Sequence, residues 1–508
     1  METLQRTANR GSVASATAYE IDNSLKFEQD NSEQIHFTPS SAGNRRTWTF
    51  SCWLKRTELS LNHYIFNFGD EDYNQSGRTL MIFRTGVDQI WFGGGGAYEL
   101  KTTQVFRDAS AWYHIVLAVD TTQATDSNRL KLYINGEQVT DFDATSYPSQ
   151  NFEYAANRDH KHSIGYNHTD NASGFSGYMS EVALIDGQQL TPSSFGETDD
   201  DSGIWKPKDL STLTFGSNGF YLKFDNSSSL GADSSGNTNN FTLSNITAAD
   251  QATDTPTNNF CILNPNWVSA NKLIPTNGGT VISGGNAWSG YKGSMGVKTG
   301  KWYFEVVKAT GGTNANGMWG VGDDGNGPDS FNSDNAHEVG YNHLFYQEST
   351  YGYRIYTNSS GSAANDFNPG VSNSVAEGDV FGVALDMDNG KISFYKNGSN
   401  MYGSTLHDLG GLATASIYQG SVVPLFVNYS SLRELHVNFG GYCNTTPSSG
   451  ASDANGYGNF EYAPPSGYYA LCSKNIAQYD SPTIDDPSVH FQTALYSGTG
   501  SAQSITND

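Results

Sequence analysis

The chain is short of charge. Only 16 % of its 508 residues are Asp, Glu, Lys or Arg, against roughly 25 % in an ordinary soluble domain. What charge there is leans one way, with 52 acidic against 28 basic side chains and a net charge of −24. A nucleic-acid binder needs a positive field to draw in phosphates, so nucleic acid is not expected as a partner. Long apolar runs are missing too: no window holds the ~18 to 20 consecutive apolar residues that span a bilayer, and no membrane insertion is expected. The opening METLQRTANRGSVAS carries no apolar secretory-signal core. Cysteine is scarce. Cys52, Cys261, Cys443 and Cys472 stand far apart without a CxxC pair, which excludes a disulfide framework and a zinc site and fits synthesis in a reducing cytoplasm.

Catalytic patterns are missing as well. Glycoside hydrolysis needs two carboxylates across the scissile bond, which on a strand would read E-x-D-x-E, and no such run occurs. There is no G-x-S-x-G nucleophile elbow, no P-loop and no HExxH. We therefore expect no enzyme, no catalytic residues and no cofactor, and nothing in the sequence supports a bound calcium ion.

Aromatic residues are abundant: 29 Tyr, 27 Phe and 9 Trp. That is too much apolar surface for a disordered chain. Together with 55 Gly and many Ser, Thr and Asn, all poor helix formers, it points to an all-β protein with long loops. Large residues alternate at period two, placing one set on a core face: Trp48, Phe50, Cys52 and Leu54; Tyr113, Ile115, Leu117 and Val119; Leu130, Leu132 and Ile134; Trp302, Phe304 and Val306; Phe381, Val383, Leu385 and Met387. Asn135-Gly136, Asn389-Gly390 and Asn397-Gly398 predict type I′ hairpin turns, which require positive φ. Tandem antiparallel β-sandwiches are the simplest architecture.

Composition divides the chain into an N-terminal arm (1–22), a first strand group (23–250), a second (251–445), and a polar, Pro-bearing linker that leads into the start of a further β segment (446–508). NGFYLKFDN, inside a Ser/Asn/Thr-rich run, reads as one more strand of the first group.

Candidate binding residues are aromatic, because Tyr and Trp offer a flat apolar face with a polar tip. They are Trp91 and Tyr98, on either side of GGGG, and Tyr346, Tyr351 and Tyr353 in LFYQESTYGYRIY. Core positions on a strand are the competing reading for the last group. The acidic Asp70–Asp72, and Asp386 and Asp388 before Asn389-Gly390, read as turn chemistry. His160, His162 and His168 read as solvated loop residues rather than metal ligands. GDDGNGPDSFNSDN (322–335) is a further loop candidate.

The run RTWTFSCWLKR, WYHIVLAVD, LKLYINGEQV and GYMSEVALIDG resembles a laminin-G-like, concanavalin-A-like jelly roll. GKWYFEV, GVALDMDNGKISFYKNGS and VVPLFV resemble a SPRY domain. The tandem, with its TLQRTANRGS-like start, DNSLKFE, DSSGNTNNFT and DTPTNNFCILNP, resembles large virion structural proteins of marine tailed phages, of the tail-fibre or lectin-like type. That resemblance implies a virion protein assembled from the host cytoplasm. It would contact other virion proteins through its N-terminal arm and a host cell-surface glycan or protein through its sandwiches, as a homo-oligomer, a trimer by analogy with fibres. It also implies a family pattern that continues past HFQTALYSGTG. The alternatives are a polysaccharide-degrading enzyme on a jelly-roll scaffold and a purely structural head fibre, decoration or adaptor protein.

Overall fold

The computed structural model describes residues 19–59, 61–69, 77–94, 96–169, 173–199, 202–267, 274–284, 289–311, 317–323, 343–347, 353–356, 363–367, 375–404, 407–408, 421–428 and 433–479. Their regular structure is almost entirely antiparallel β-sheet, with one short α-helix, Ser473–Tyr479, and a few short 3-10 turns. Among them no helix is long and apolar enough to cross a membrane.

The first sandwich pairs two sheets. The back sheet runs Glu137–Gln138, Leu130–Ile134, Tyr113–Asp120, Thr47–Arg56, Gly177–Asp186, Ser24–Phe27 and Gln251–Ala252, with Phe220–Leu222 also paired to Gly177–Asp186. The last of these is the strand expected in NGFYLKFDN. The front sheet runs Phe142–Ser146, Tyr98–Val105, Gln89–Gly94, Arg78–Phe83, His63–Gly69, His162–Ile164, Gln34–Phe37 and Thr242–Ser244. Side chains that alternate inward from both sheets make one core. It includes Trp48, Phe50, Cys52 and Leu54 from the back and Met81, Phe83, Ile90 and Phe92 from the front.

Thr47–Arg56 is buried on both faces. On its outer face His114 stacks between Trp53 and Trp205. The indole N–H of Trp205 donates to His114 Nδ1 at 3.0 Å, so His114 carries its proton on Nε2, 2.9 Å from Ser51 Oγ. Burial lowers the His114 pKa to about 3.

The second sandwich repeats the plan. One sheet runs Val281–Ser283, Glu434–Asn438, Lys301–Thr310, Val380–Asp386, Lys391–Lys396 and Ser399–Ser404. The other runs Ser289–Lys292, Val422–Asn428, Met318–Asp323, His343–Gln347, Tyr353–Tyr356 and Ala363–Phe367. Trp302, Phe304, Val306, Phe381, Val383 and Leu385 fill its core as their alternation predicts, while Met387 only packs at its margin. Asn135-Gly136 and Asn397-Gly398 carry positive φ at both positions, the geometry of a type I′ turn. Asn389-Gly390 does not: only Gly390 is positive. Asp386 pairs with Lys391, so this hairpin closes with four residues rather than two.

The sandwiches meet in a buried seam of Trp53, Ala109, Trp112, Tyr178, Ala252, Ile262 and Tyr442. Lys55 Nζ reaches across it to Asp254 (2.7 Å), Asn259 Oδ1 (2.7 Å) and the Phe260 carbonyl (2.8 Å). Composition reads 446–508 as a linker leading into the start of a further β segment, of which 480–508 lie outside the described residues. Residues 446–479 instead fold back on the second sandwich. Tyr469–Ala470 joins Lys301–Thr310 in parallel, and buried Glu305 accepts the backbone N–H groups of Glu461 (2.8 Å) and Tyr462 (2.9 Å). The segment also buries Phe460, Leu471 and Ile476, apolar positions scattered through a polar run without a strand or helix period.

Candidate binding surface

Alternation along Gln89–Gly94 sends Ile90 and Phe92 into the core and Trp91 to the outward face of the front sheet, where it is half-buried. Register then fixes its neighbours. Trp91 lies opposite Lys101 on one side and Ile82 on the other, and Ile82 lies opposite Tyr64. Lys101, Trp91, Ile82 and Tyr64 therefore form one row across four strands, with Trp91 and Tyr64 two strand spacings, roughly 9.6 Å, apart.

Trp91 is held flat. Two residues on, on the same face, is Gly93, and a Cβ there would come within 2.4 Å of the indole ring. The ring thus lies down over the Gly93 backbone, a position only a glycine leaves open. The indole Nε1–H donates to Glu99 at 2.6 Å, which fixes the ring's rotation. The Arg84 guanidinium stands over the ring, 5.6 Å from its centre. Lys101 is tied to Asp143 at 3.3 Å, and Asp143 also accepts from Gln89 at 2.7 Å. A flat, outward aromatic ring edged by polar side chains suits stacking on an apolar ring face with hydrogen bonds at its rim.

The other candidates fall differently. Tyr98 is a core residue, 2 % exposed, packed edge-on to Tyr154 and Phe152 with its hydroxyl donating to Thr79. It shares the inward alternation of Leu100, a signal available in the sequence. Tyr346 and Tyr353 are direct cross-strand partners in the second sandwich. Tyr351 and 324–335 of the loop candidate lie outside the described residues, as does 70–72.

His162 is not solvated. It is fully buried, its Nε2 accepts the Asn157 N–H at 3.0 Å, and burial lowers its pKa to about 4. His168 is likewise buried, beside Ser163. Among the described residues no group of three His, Cys, Asp or Glu is placed to hold a metal ion. Asp386 accepts the Asn389 N–H within its turn, as expected, and also pairs with Lys301, whereas Asp388 accepts the Gly300 N–H of a segment distant in sequence, a tertiary contact rather than turn chemistry. All four cysteines are free and buried. Arg84, Gly93, Ile82 and Tyr64 were not among the sequence candidates. Their grouping depends on register, which a single sequence does not print.

Both halves of the chain are antiparallel β-sandwich domains. A family model for the concanavalin A-like lectin/glucanases superfamily matches residues 29–194, and one for the SPRY domain matches residues 301–442. The protein thus carries a concanavalin A-like domain followed by a SPRY domain. No curated protein matches it. Among solved structures, it is similar to the SPRY domain of human HERC1 (19 % identity, 34 % of this chain and 96 % of that one, TM-score 0.26). It is also similar to domains LG4-5 of the mouse laminin alpha1 chain (9 % identity, 84 % and 91 %, TM-score 0.28). A third is a native heptameric SAP-like pentraxin from Limulus polyphemus (17 % identity, 34 % and 80 %, TM-score 0.25).

Proposed function

We propose that this protein is an adhesive structural subunit of a phage virion, a tail fibre or similar surface appendage, that binds host glycan or protein rather than cleaving it. The observation that carries the binding half is the indole of Trp91, laid flat on the outward face of the front sheet and braced by Glu99 and Gly93. The superfamily matched by the first domain joins lectins with glucanases. The carboxylates nearest Trp91 favour the former, because Glu99 is engaged by the indole and Asp143 by Lys101 and Gln89.

The virion half is supported by the phage-like runs DNSLKFE and DTPTNNFCILNP and by the tandem of domains. In this reading residues 1–22 attach the subunit to its virion neighbours. Their described root is clamped to the body: Tyr19 donates to Glu181, Ile21 exchanges hydrogen bonds with Thr257, and Glu20 pairs with Lys474.

The test is adsorption of the purified protein to host cells and to a glycan array, with immunogold labelling of the particle. We expect wild-type binding, its loss in Trp91→Ala, and label on an appendage. Soluble sugar released from host polysaccharide would overturn the non-enzymatic reading. Binding to no cell and no glycan would leave only a structural spacer.

A further inference from the structure

Building on that binding reading, we infer that the Trp91 surface selects an anionic saccharide, a sugar residue bearing a carboxylate, which stacks on the indole while Arg84 holds its acid group. In a chain with 52 acidic and 28 basic residues, an arginine is expected to find a carboxylate. Arg45 and Arg46 both pair with Glu153, and Arg56 and Arg107 both pair with Asp88. Arg129 instead donates to the carbonyls of Gln123, Ala124 and Pro148. Arg84 is exposed, and no carboxylate among the described residues pairs with its guanidinium. Its side-chain contact is the face of Trp91.

The placement gives the surface a direction. Arg84 follows the strand Arg78–Phe83, and its backbone N–H donates to the Gln89 carbonyl, so it stands at the 89 end of the Trp91 strand. Glu99 is opposite Gly93, at the other end. Positions 89 and 93 are four residues of strand apart, roughly 13 Å. The indole lies between a cation at one end and a carboxylate at the other, and that carboxylate already accepts the indole N–H. A sugar that stacks on the ring takes the place of the guanidinium over its open face, and the displaced guanidinium, tethered at the 89 end, meets the sugar on that side only. A guanidinium presents its N–H donors in a fork that matches a carboxylate bidentately. Lys101, the cation of the row, is already held by Asp143, so the free positive charge is that of Arg84. Attraction through one charge also reconciles an acidic protein with an acidic ligand: the contact is local, and its salt dependence is shallow.

The experiment measures binding of an oligogalacturonate, and of host-cell polysaccharide before and after chemical reduction of its carboxyl groups, to wild type, Arg84→Gln, Trp91→Ala and Gly93→Ala. Gly93 does not carry positive φ, so its Cβ displaces the indole without backbone strain. Charge-assisted hydrogen bonds set the scale, roughly ten- to hundred-fold in affinity. We expect carboxyl reduction and Arg84→Gln each to cause a loss of that size, and the two together to cause no more than either alone, with Trp91→Ala and Gly93→Ala weakening both forms. Binding that needs Trp91 but ignores both reduction and Arg84→Gln would overturn the acidic-ligand inference and leave the binding surface standing. Binding of neither probe, or binding indifferent to Trp91, would overturn both. Unchanged melting temperatures for Arg84→Gln and Gly93→Ala separate these results from misfolding.

Discussion

Lys55 Nζ, from the back strand Thr47–Arg56 of the first sandwich, lies 2.7 Å from the carboxylate of Asp254, in the segment that leads to the second. Both side chains are essentially excluded from solvent. Trp112 donates its indole N–H to the other Asp254 oxygen at 3.0 Å. Removing one member of such a pair strands the other as a buried charge. Lys55→Met should therefore cost about 3–5 kcal/mol in equilibrium denaturation. Lys55→Met/Asp254→Asn, which keeps an acceptor for Trp112, should recover much of that loss. A neutral Lys55→Met would show that the seam does not depend on the pair.

Glu305 anchors the returning C-terminal segment. Its carboxylate accepts from the Glu461 and Tyr462 N–H groups, the Tyr303 hydroxyl (3.1 Å) and Asn438 (3.3 Å). Glu305→Ala removes the acceptor and leaves these donors unpaired, at about 1–3 kcal/mol each. Hydrogen exchange should accelerate at least roughly tenfold at the amides of Glu461 and Tyr462 and little in the first sandwich. Unchanged exchange there would contradict the anchoring role.

Burial raises three carboxyl groups far above their ordinary value of 4.5: Glu58 to about 8, with Glu28 adding to the shift, and Glu181 and Glu305 to about 7. An acid that holds its proton more tightly when folded contributes stability that is complete below about 4.5 and is lost as pH rises through 7 to 8. The buried histidines His114 and His162, lowered to about 3 and about 4, work oppositely. Their contribution is complete above their unfolded value of 6.5 and is lost as pH falls. Between pH 6.5 and 8 only the acid contribution of these groups is still changing, so the urea midpoint should fall with rising pH, and Glu58→Gln should flatten that fall. A midpoint that rises across the same interval would contradict the assignment.

Much of the architecture was legible in the sequence. Alternation placed Trp48, Phe50, Cys52 and Leu54 on the core face, where they lie, because a strand's two-residue period leaves little choice once one face is apolar. Trp91 was legible as a candidate for the same reason: it stands between Ile90 and Phe92 with opposite orientation. Tyr98 was misplaced because its hydroxyl suggested surface, whereas Thr79 satisfies that hydroxyl inside the core. The partnership of Arg84, Trp91 and Gly93 was not legible. It depends on which strands are neighbours and in what register, and that is settled by the packing of the whole sandwich. The docking of 446–479 was hidden because its buried Phe460, Leu471 and Ile476 follow no regular period and because Glu305 captures backbone N–H groups that every non-proline residue possesses.

Whether this chain binds through the outward ring of Trp91 is read out by calorimetric titration of host surface polysaccharide into wild type and Trp91→Ala. Truncating this half-buried ring should lower the melting temperature by several degrees, about 2–4 °C per kcal/mol lost in a domain of this size, and leave the protein folded. Loss of one stacking platform should weaken binding at least roughly tenfold, since base-on-aromatic stacking, a comparable contact, contributes about 1–3 kcal/mol. Equal affinities for the two proteins, with both folded, would contradict the account.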